Sequence, residues 1–230
     1  DYCFLKGMDP SGNIVVFVNF DDYVRDVNKL LKIRKKIFLS VSYESDLLAL
    51  DGLTGMASRW IELALNNPDF TIELRTKSAP RNFVSSENIL YAFSLLPQEV
   101  ITGFEHGTAP LDSRLKSIAT ALSAGVQVRL CFDPLIYVDN YDGIYSSFMD
   151  QVCKAIDITK VRDMSIGTFR ISGEYLKNLR RCRPDSSCVQ YPFRKEDGYA
   201  VYADALKSRL ISLVTEKLKE KTDDGKIFII

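Results

Sequence analysis

Histidine is almost missing from this chain. His106 is the only one, so a histidine metal cluster is excluded by count. A Ser-His-Asp triad has a single candidate base, and no G-x-S-x-G sequence accompanies it. Neither a Walker A sequence nor G-x-G-x-x-G occurs, which removes the two common glycine-rich phosphate cradles. No apolar run approaches the roughly 20 residues of a membrane span. The opening DYCFLKGMDP has none of the basic, apolar and small-residue succession of a secretory signal, and without a Met it does not read as a natural start. Net charge is also absent: 30 Lys and Arg balance 30 Asp and Glu, so a nucleic acid or a membrane has to be held locally if at all. Five cysteines, an odd number scattered over the chain, do not make a disulfide framework. A reducing, cytoplasmic setting follows.

What is present reads as one α/β domain. At 230 residues, 46% hydrophobic and 26% charged, the chain buries one good core. Short β-rich runs alternate with longer amphipathic ones. Strands are expected at Ile14–Asn19, Ile37–Ser42, Phe70–Thr76, Ile89–Ser94, Val126–Phe132 and Arg162–Phe169. Helices are expected at Asp21–Ile33, Leu53–Asn66, Leu111–Ala124 and Tyr141–Ile156, with Asn67-Pro68 closing the second and Gly125 capping the third. Nearly continuous apolar strand interiors such as IFLSV and VQVRLCF suit parallel strands covered on both faces. The expected architecture is a parallel (β/α) partial barrel over residues 1–170. Residues 171–230 form a helical extension packed on it: Gly173–Arg181, a Pro- and Cys-bearing loop, then a charged helix from Tyr199 to about Lys221. Cys182 and Cys188, separated by five residues, have poor zinc spacing and read as incidental.

Chemistry in such barrels sits at the carboxyl ends of the strands. Those ends are polar here: Ser42-Tyr43-Glu44-Ser45-Asp46, Arg75-Thr76-Lys77-Ser78, Ser94 and Asp133. Any one polar end also arises where a strand emerges into solvent, but their convergence on one face favours a site. Tyr43, Ser45, Lys77 and Ser94 are expected around one cleft.

Several sequence blocks carry a resemblance, in order, over nearly the whole chain: Tyr2-Cys3-Phe4, VFVNFDDYVRDVNKLL, SYESDLLALDGLT, IELRTKSA, FSLLPQEVITGFEHGTAPLDSRLKSIATALSAG and DPLIYVDNY. The most specific is Glu105-His106-Gly107-Thr108 followed by a helix ending in Ala124-Gly125. Together they resemble the spore photoproduct lyase family of radical S-adenosylmethionine enzymes. The resemblance implies a radical S-adenosylmethionine partial barrel with a [4Fe-4S] cluster held by C-x-x-x-C-x-x-C. Cys3 stands at the third cysteine, and the first two are expected directly ahead of Asp1. Three thiolates leave one iron open to the methionyl group of S-adenosylmethionine. Tyr2, Ser45, Lys77 and Ser94 then fall where the family contacts that cofactor; the alternative for Lys77 is a solvated charge at a strand end. His106 reads as a turn residue, with contact to cofactor or substrate as its alternative.

Two departures stand out. Phe4 replaces a family tyrosine, and Tyr43 replaces the cysteine that returns a hydrogen atom to the substrate radical. Tyr43 is therefore the candidate catalytic residue, donating from its phenol. The alternative is a space-filling tyrosine whose hydroxyl bonds neighbouring backbone.

The implied function is a lyase that generates a 5'-deoxyadenosyl radical and repairs a thymine photodimer in DNA, fed by an electron donor such as flavodoxin or ferredoxin. Radical chemistry on a non-DNA substrate is one alternative, and a non-catalytic nucleic-acid-binding barrel is another. Basic runs near Lys29–Lys36 and Lys177–Arg183, the second followed by Tyr191, Phe193, Tyr199 and Tyr202, suit a strand opened around a lesion. Where the family inserts a basic hairpin, CRPDSSCVQYPFRKEDGY carries fewer positive charges.

Overall fold

A computed structural model describes every residue except 10, 12 and 14. The short apolar runs become β1 (Ile37–Ser40), β2 (Phe70–Thr76), β3 (Ile89–Ser94), β4 (Gln127–Leu135) and β5 (Asp163–Thr168), which lie side by side in that order, all parallel. After them come β6 (Arg170–Ser172), β7 (Arg194–Glu196) and β8 (Tyr199–Val201), a small antiparallel sheet of order β6-β8-β7. The last strand, β9 (Ile227–Ile229), returns to pair parallel with β5, so the main sheet is a six-stranded curled half-barrel.

Helices flank the parallel strands, except between β2 and β3, which a loop joins. They are α2 (Phe20–Ile33) before β1, α3 (Leu47–Thr54) and α4 (Met56–Leu65) between β1 and β2, and α5 (Gln98–Phe104) and α6 (Leu111–Ser123) between β3 and β4. After β4 follow α7 (Tyr141–Ala155), then α8 (Gly173–Cys182), α9 (Ser187–Gln190) and α10 (Asp204–Lys219); a short α1 (Phe4–Met8) opens the chain. Gly125, at φ 70°, turns the chain out of α6 in the left-handed region where a glycine meets no Cβ penalty.

Alternation along the strands sorts two faces. Phe70, Ile72 and Leu74 of β2, Val128, Leu130 and Phe132 of β4, and Met164 and Ile166 of β5 are buried in the same core as Trp60, Leu115, Ile118, Val214 and Leu218 of the helices. Each such side chain contributes about 1.5–3 kcal/mol. The opposite residues are polar: Glu73 and Arg75, Arg129, Cys131 and Asp133, Asp163 and Ser165. Arg129 pairs with both Glu73 and Asp163 across this inner face. The expected apolar cover on both faces is thus corrected: the inner face of the half-barrel is lined with ion pairs.

Four other expectations change. Residues 15–19 form no strand, because β1 is an edge that pairs only with β2 and no described strand lies beside this segment; Ile14 lies outside the described residues. The helix expected at Leu53–Asn66 is split at Gly55, whose φ of 63° closes α3 before α4 begins. The charged helix begins at Asp204 instead of Tyr199, since Asp197 and Gly198, both at positive φ, fold Tyr199–Val201 back onto β7. The extension accordingly holds strands as well as helices.

Candidate active site at the strand-end rim

Parallel pairing brings the loops after β1, β2, β3 and β4 to one rim. Asp46 ties the first two together. Its carboxylate caps α3 through Ala49 N at 3.0 Å, and accepts from Thr76 Oγ1 at 2.8 Å and from Lys77 N at 2.8 Å. Ser45 and Lys77 therefore share this rim, with Ser45 exposed beside the clasp.

Tyr2 enters the same rim from the start of the chain. Its ring is buried edge-on to Phe169, centroids 6.0 Å apart, and its hydroxyl donates to Glu105 while accepting from Lys77 Nζ at 2.8 Å. Lys77 Nζ also lies 2.7 Å from Glu105 Oε1. Arg114, fully buried, completes the network. It donates to Glu105 Oε2 at 2.6 Å, Thr108 Oγ1 at 2.7 Å, Ala109 O at 2.8 Å and Ser94 O at 2.8 Å. Burial opposes the charge on Glu105, but the cations of Lys77 and Arg114 outweigh it and hold the carboxyl at about 2. The same burial, together with Glu105, pushes the Tyr2 phenol well above its ordinary value. Lys77 is therefore not the solvated charge of the bland alternative. Its ammonium sits among Tyr2, Glu105 and the end of β2.

Ser94 is buried at the end of β3, its carbonyl anchored by Arg114. Cys3 is exposed at the head of α1, next to buried Tyr2, and Phe4 is partly exposed as the first residue of that helix. One exposed thiol can hold one iron. Among the described residues no three His, Cys, Asp or Glu side chains gather to hold a metal.

Tyr43 is 58% exposed, with the Arg75 guanidinium 5.1 Å from its ring centroid. This exposure differs from the burial that the second alternative supposes. His106 is mostly exposed and lies 3.4 Å from the Asp1 carboxylate. Sequence reasoning did not foresee the roles of Glu105 and Arg114, although both lie within the block that gave the most specific resemblance.

Residues 1–182 match the family model described as spore photoproduct lyase. The chain belongs to the spore photoproduct lyase family. Among curated members, it is 24% identical over 162 residues to spore photoproduct lyase of Bacillus subtilis (strain 168). That alignment covers 67% of this chain and 47% of the relative, so the chain spans about half the length of the curated protein it matches. Solved structures of spore photoproduct lyase share its fold. A doubly substituted form with bound AdoMet and dinucleoside spore photoproduct gives a TM-score of 0.83 at 18% identity, covering 99% of this chain and 71% of that one. A complex with dinucleoside spore photoproduct gives the same figures, and a form with one tyrosine changed to phenylalanine gives 0.82 at 19% identity, again over 99% and 71%.

Proposed function

We propose that this chain is the catalytic body of a radical S-adenosylmethionine lyase that repairs a thymine photoproduct in DNA. The match to the spore photoproduct lyase family over residues 1–182 carries the reading. The rim network supports it, because the residues that the resemblance assigns to the cofactor fall on one edge of the sheet. Residues 1–170 form the barrel body in this reading, and residues 171–230 the extension, whose last strand closes the sheet edge at β5.

Cys3 would hold one iron of a [4Fe-4S] cluster, and with S-adenosylmethionine bound the cluster supplies a 5'-deoxyadenosyl radical, given an electron from a donor such as flavodoxin or ferredoxin. The chain's own residues bind and orient. Tyr2 presents a buried aromatic wall, and Lys77 an ammonium suited to the methionyl carboxylate. Ser45 and Ser94 offer hydroxyl chemistry suited to the ribose and the amino acid. Tyr43, exposed at the end of β1, carries the phenolic hydrogen for return to the substrate. On the β7–β8 hairpin, Lys195 is exposed for a DNA phosphate, while Arg194 is taken up by Asp204 and Glu196. No helix of the described residues is long and apolar enough to cross a membrane.

The test uses the full-length gene product, reconstituted anaerobically with iron and sulfide and given reductant, S-adenosylmethionine and dinucleoside spore photoproduct. Formation of both 5'-deoxyadenosine and repaired thymidine dinucleotide is expected. Deoxyadenosine without repair would point to another substrate, and neither product from a cluster-loaded protein would overturn the reading.

A further inference from the structure

One carboxylate on the inner face has only long ion pairs. Asp133, near the carboxyl end of β4, has a side chain only 12% exposed, yet no protein group among the described residues donates a hydrogen bond to it. Arg75 Nη1 stands 4.0 Å from its Oδ2 and Arg170 Nη1 3.9 Å from its Oδ1, each beyond hydrogen-bonding reach. Arg75 Nε is buried without a hydrogen bond although Glu73 Oε1 lies 3.4 Å away, and Arg170 Nη1 makes only a long bond of 3.5 Å to Ile230 O. Burial pushes the Asp133 carboxyl upward against the pull of Arg170, Arg75 and Lys77, the signature of a desolvated carboxylate short of donors. Gly167 leaves the space: a Cβ there would meet Asp133 Oδ1 at 2.7 Å. The Tyr43 ring lies against the same Arg75.

Two guanidinium groups flanking a carboxylate present donor, acceptor, donor. The complement is acceptor, donor, acceptor, which is the C=O, N–H, C=O edge of an imide such as a thymine or dihydrothymine ring. A phosphate fits poorly because the central carboxylate repels it, and a sugar diol has no need of two flanking cations. We propose that Arg75, Asp133 and Arg170 form a specificity site that reads the imide edge of the substrate base. The inference rests on the thymine-photoproduct reading above and adds to it the residues that select the base.

The test is calorimetric titration of the cluster-loaded full-length protein, saturated with S-adenosylmethionine and without reductant so that nothing turns over. The ligands are dinucleoside spore photoproduct and its counterpart methylated at both imide nitrogens. Wild type should bind the methylated ligand at least about tenfold more weakly, since a site built around a hydrogen bond rejects the analogue lacking it. Asp133→Ala should lose about the same factor for the unmethylated ligand and nothing for the methylated one. Equal binding of both ligands by wild type would overturn the proposal without any variant, so a misfolded Asp133→Ala does not rescue it. So would an equal loss for both ligands in Asp133→Ala, which is what a merely structural role gives. A wild type that binds neither ligand would overturn the substrate reading and this site with it, and is told apart from tight binding that ignores methylation.

Discussion

Lys77 and Glu105 come from loops that follow adjacent strands, and their charged atoms meet 2.7 Å apart with the Tyr2 hydroxyl between the same two groups. Arg114, without exposed surface, holds the other carboxylate oxygen at 2.6 Å. Removing the shared anion leaves a buried guanidinium uncompensated, which costs about 3–5 kcal/mol. Glu105→Gln should therefore lower unfolding free energy by that order in denaturant titration. Lys77→Gln should cost less, because a third of its side chain reaches solvent. A Glu105→Gln loss below 1 kcal/mol would show that the network does not hold the rim.

The same carboxylate sets a pH dependence. Its folded pKa of about 2 lies below the ordinary value of 4.5, so the stability it contributes is complete above about pH 4.5 and is lost as pH falls through 2. The gap corresponds to a contribution on the order of 3 kcal/mol. Unfolding free energy measured between pH 5 and 2 should fall in the wild type and fall less in Glu105→Gln. Parallel profiles would assign the acid sensitivity elsewhere.

β9 gives the sheet its sixth strand through pairs such as Ser165 with Phe228. Lys226 Nζ adds bonds to Thr159 O at 2.8 Å and Val161 O at 2.9 Å. Deleting residues 227–230 would uncover the β5 edge, and an unpaired parallel edge is a site for association. The truncated protein should unfold at a lower temperature and aggregate on heating. Unchanged thermal unfolding would remove β9 from the folded core.

The resemblance sets Tyr43 at the place of the family's thiol, and its ring is 58% exposed. Tyr43→Phe should leave deoxyadenosine formation intact while diverting the substrate radical to side products, read by chromatography of both. Its ring is exposed, so stability should change by less than about 0.5 kcal/mol. Normal repaired product from the Phe variant would eliminate Tyr43 as donor; loss of deoxyadenosine itself would move it to the cofactor.

Much of the barrel was legible because its strands are short, apolar and punctuated. β2 and β3 fall at the residues read for them, and α7 ends one residue early. What escaped depended on distant partners or weak local propensity. LLALDGLT has a glycine within it and holds as α3 through the Asp46 cap and Gly55, while QEVITGF is barely two turns. The Asp197-Gly198 pair was a readable hairpin signal that a helical reading of Tyr199 onward passed over. In the site, Tyr2, Ser45, Lys77 and Ser94 could be named through the resemblance. Arg114 could not, because on an amphipathic helix it reads as a solvated charge, and only the packing shows it carrying four hydrogen bonds at full burial.

The central claim is that this barrel directs a radical at a thymine photoproduct, and isotope transfer tests it most directly. Dinucleoside spore photoproduct deuterated throughout its base carbons would be turned over by the reconstituted full-length protein with unlabelled S-adenosylmethionine, and the 5'-deoxyadenosine analysed by mass spectrometry. The account predicts deoxyadenosine one mass unit heavier, formed together with repaired thymidine dinucleotide. Unlabelled deoxyadenosine and untouched photoproduct, from protein shown to carry its cluster, would contradict it.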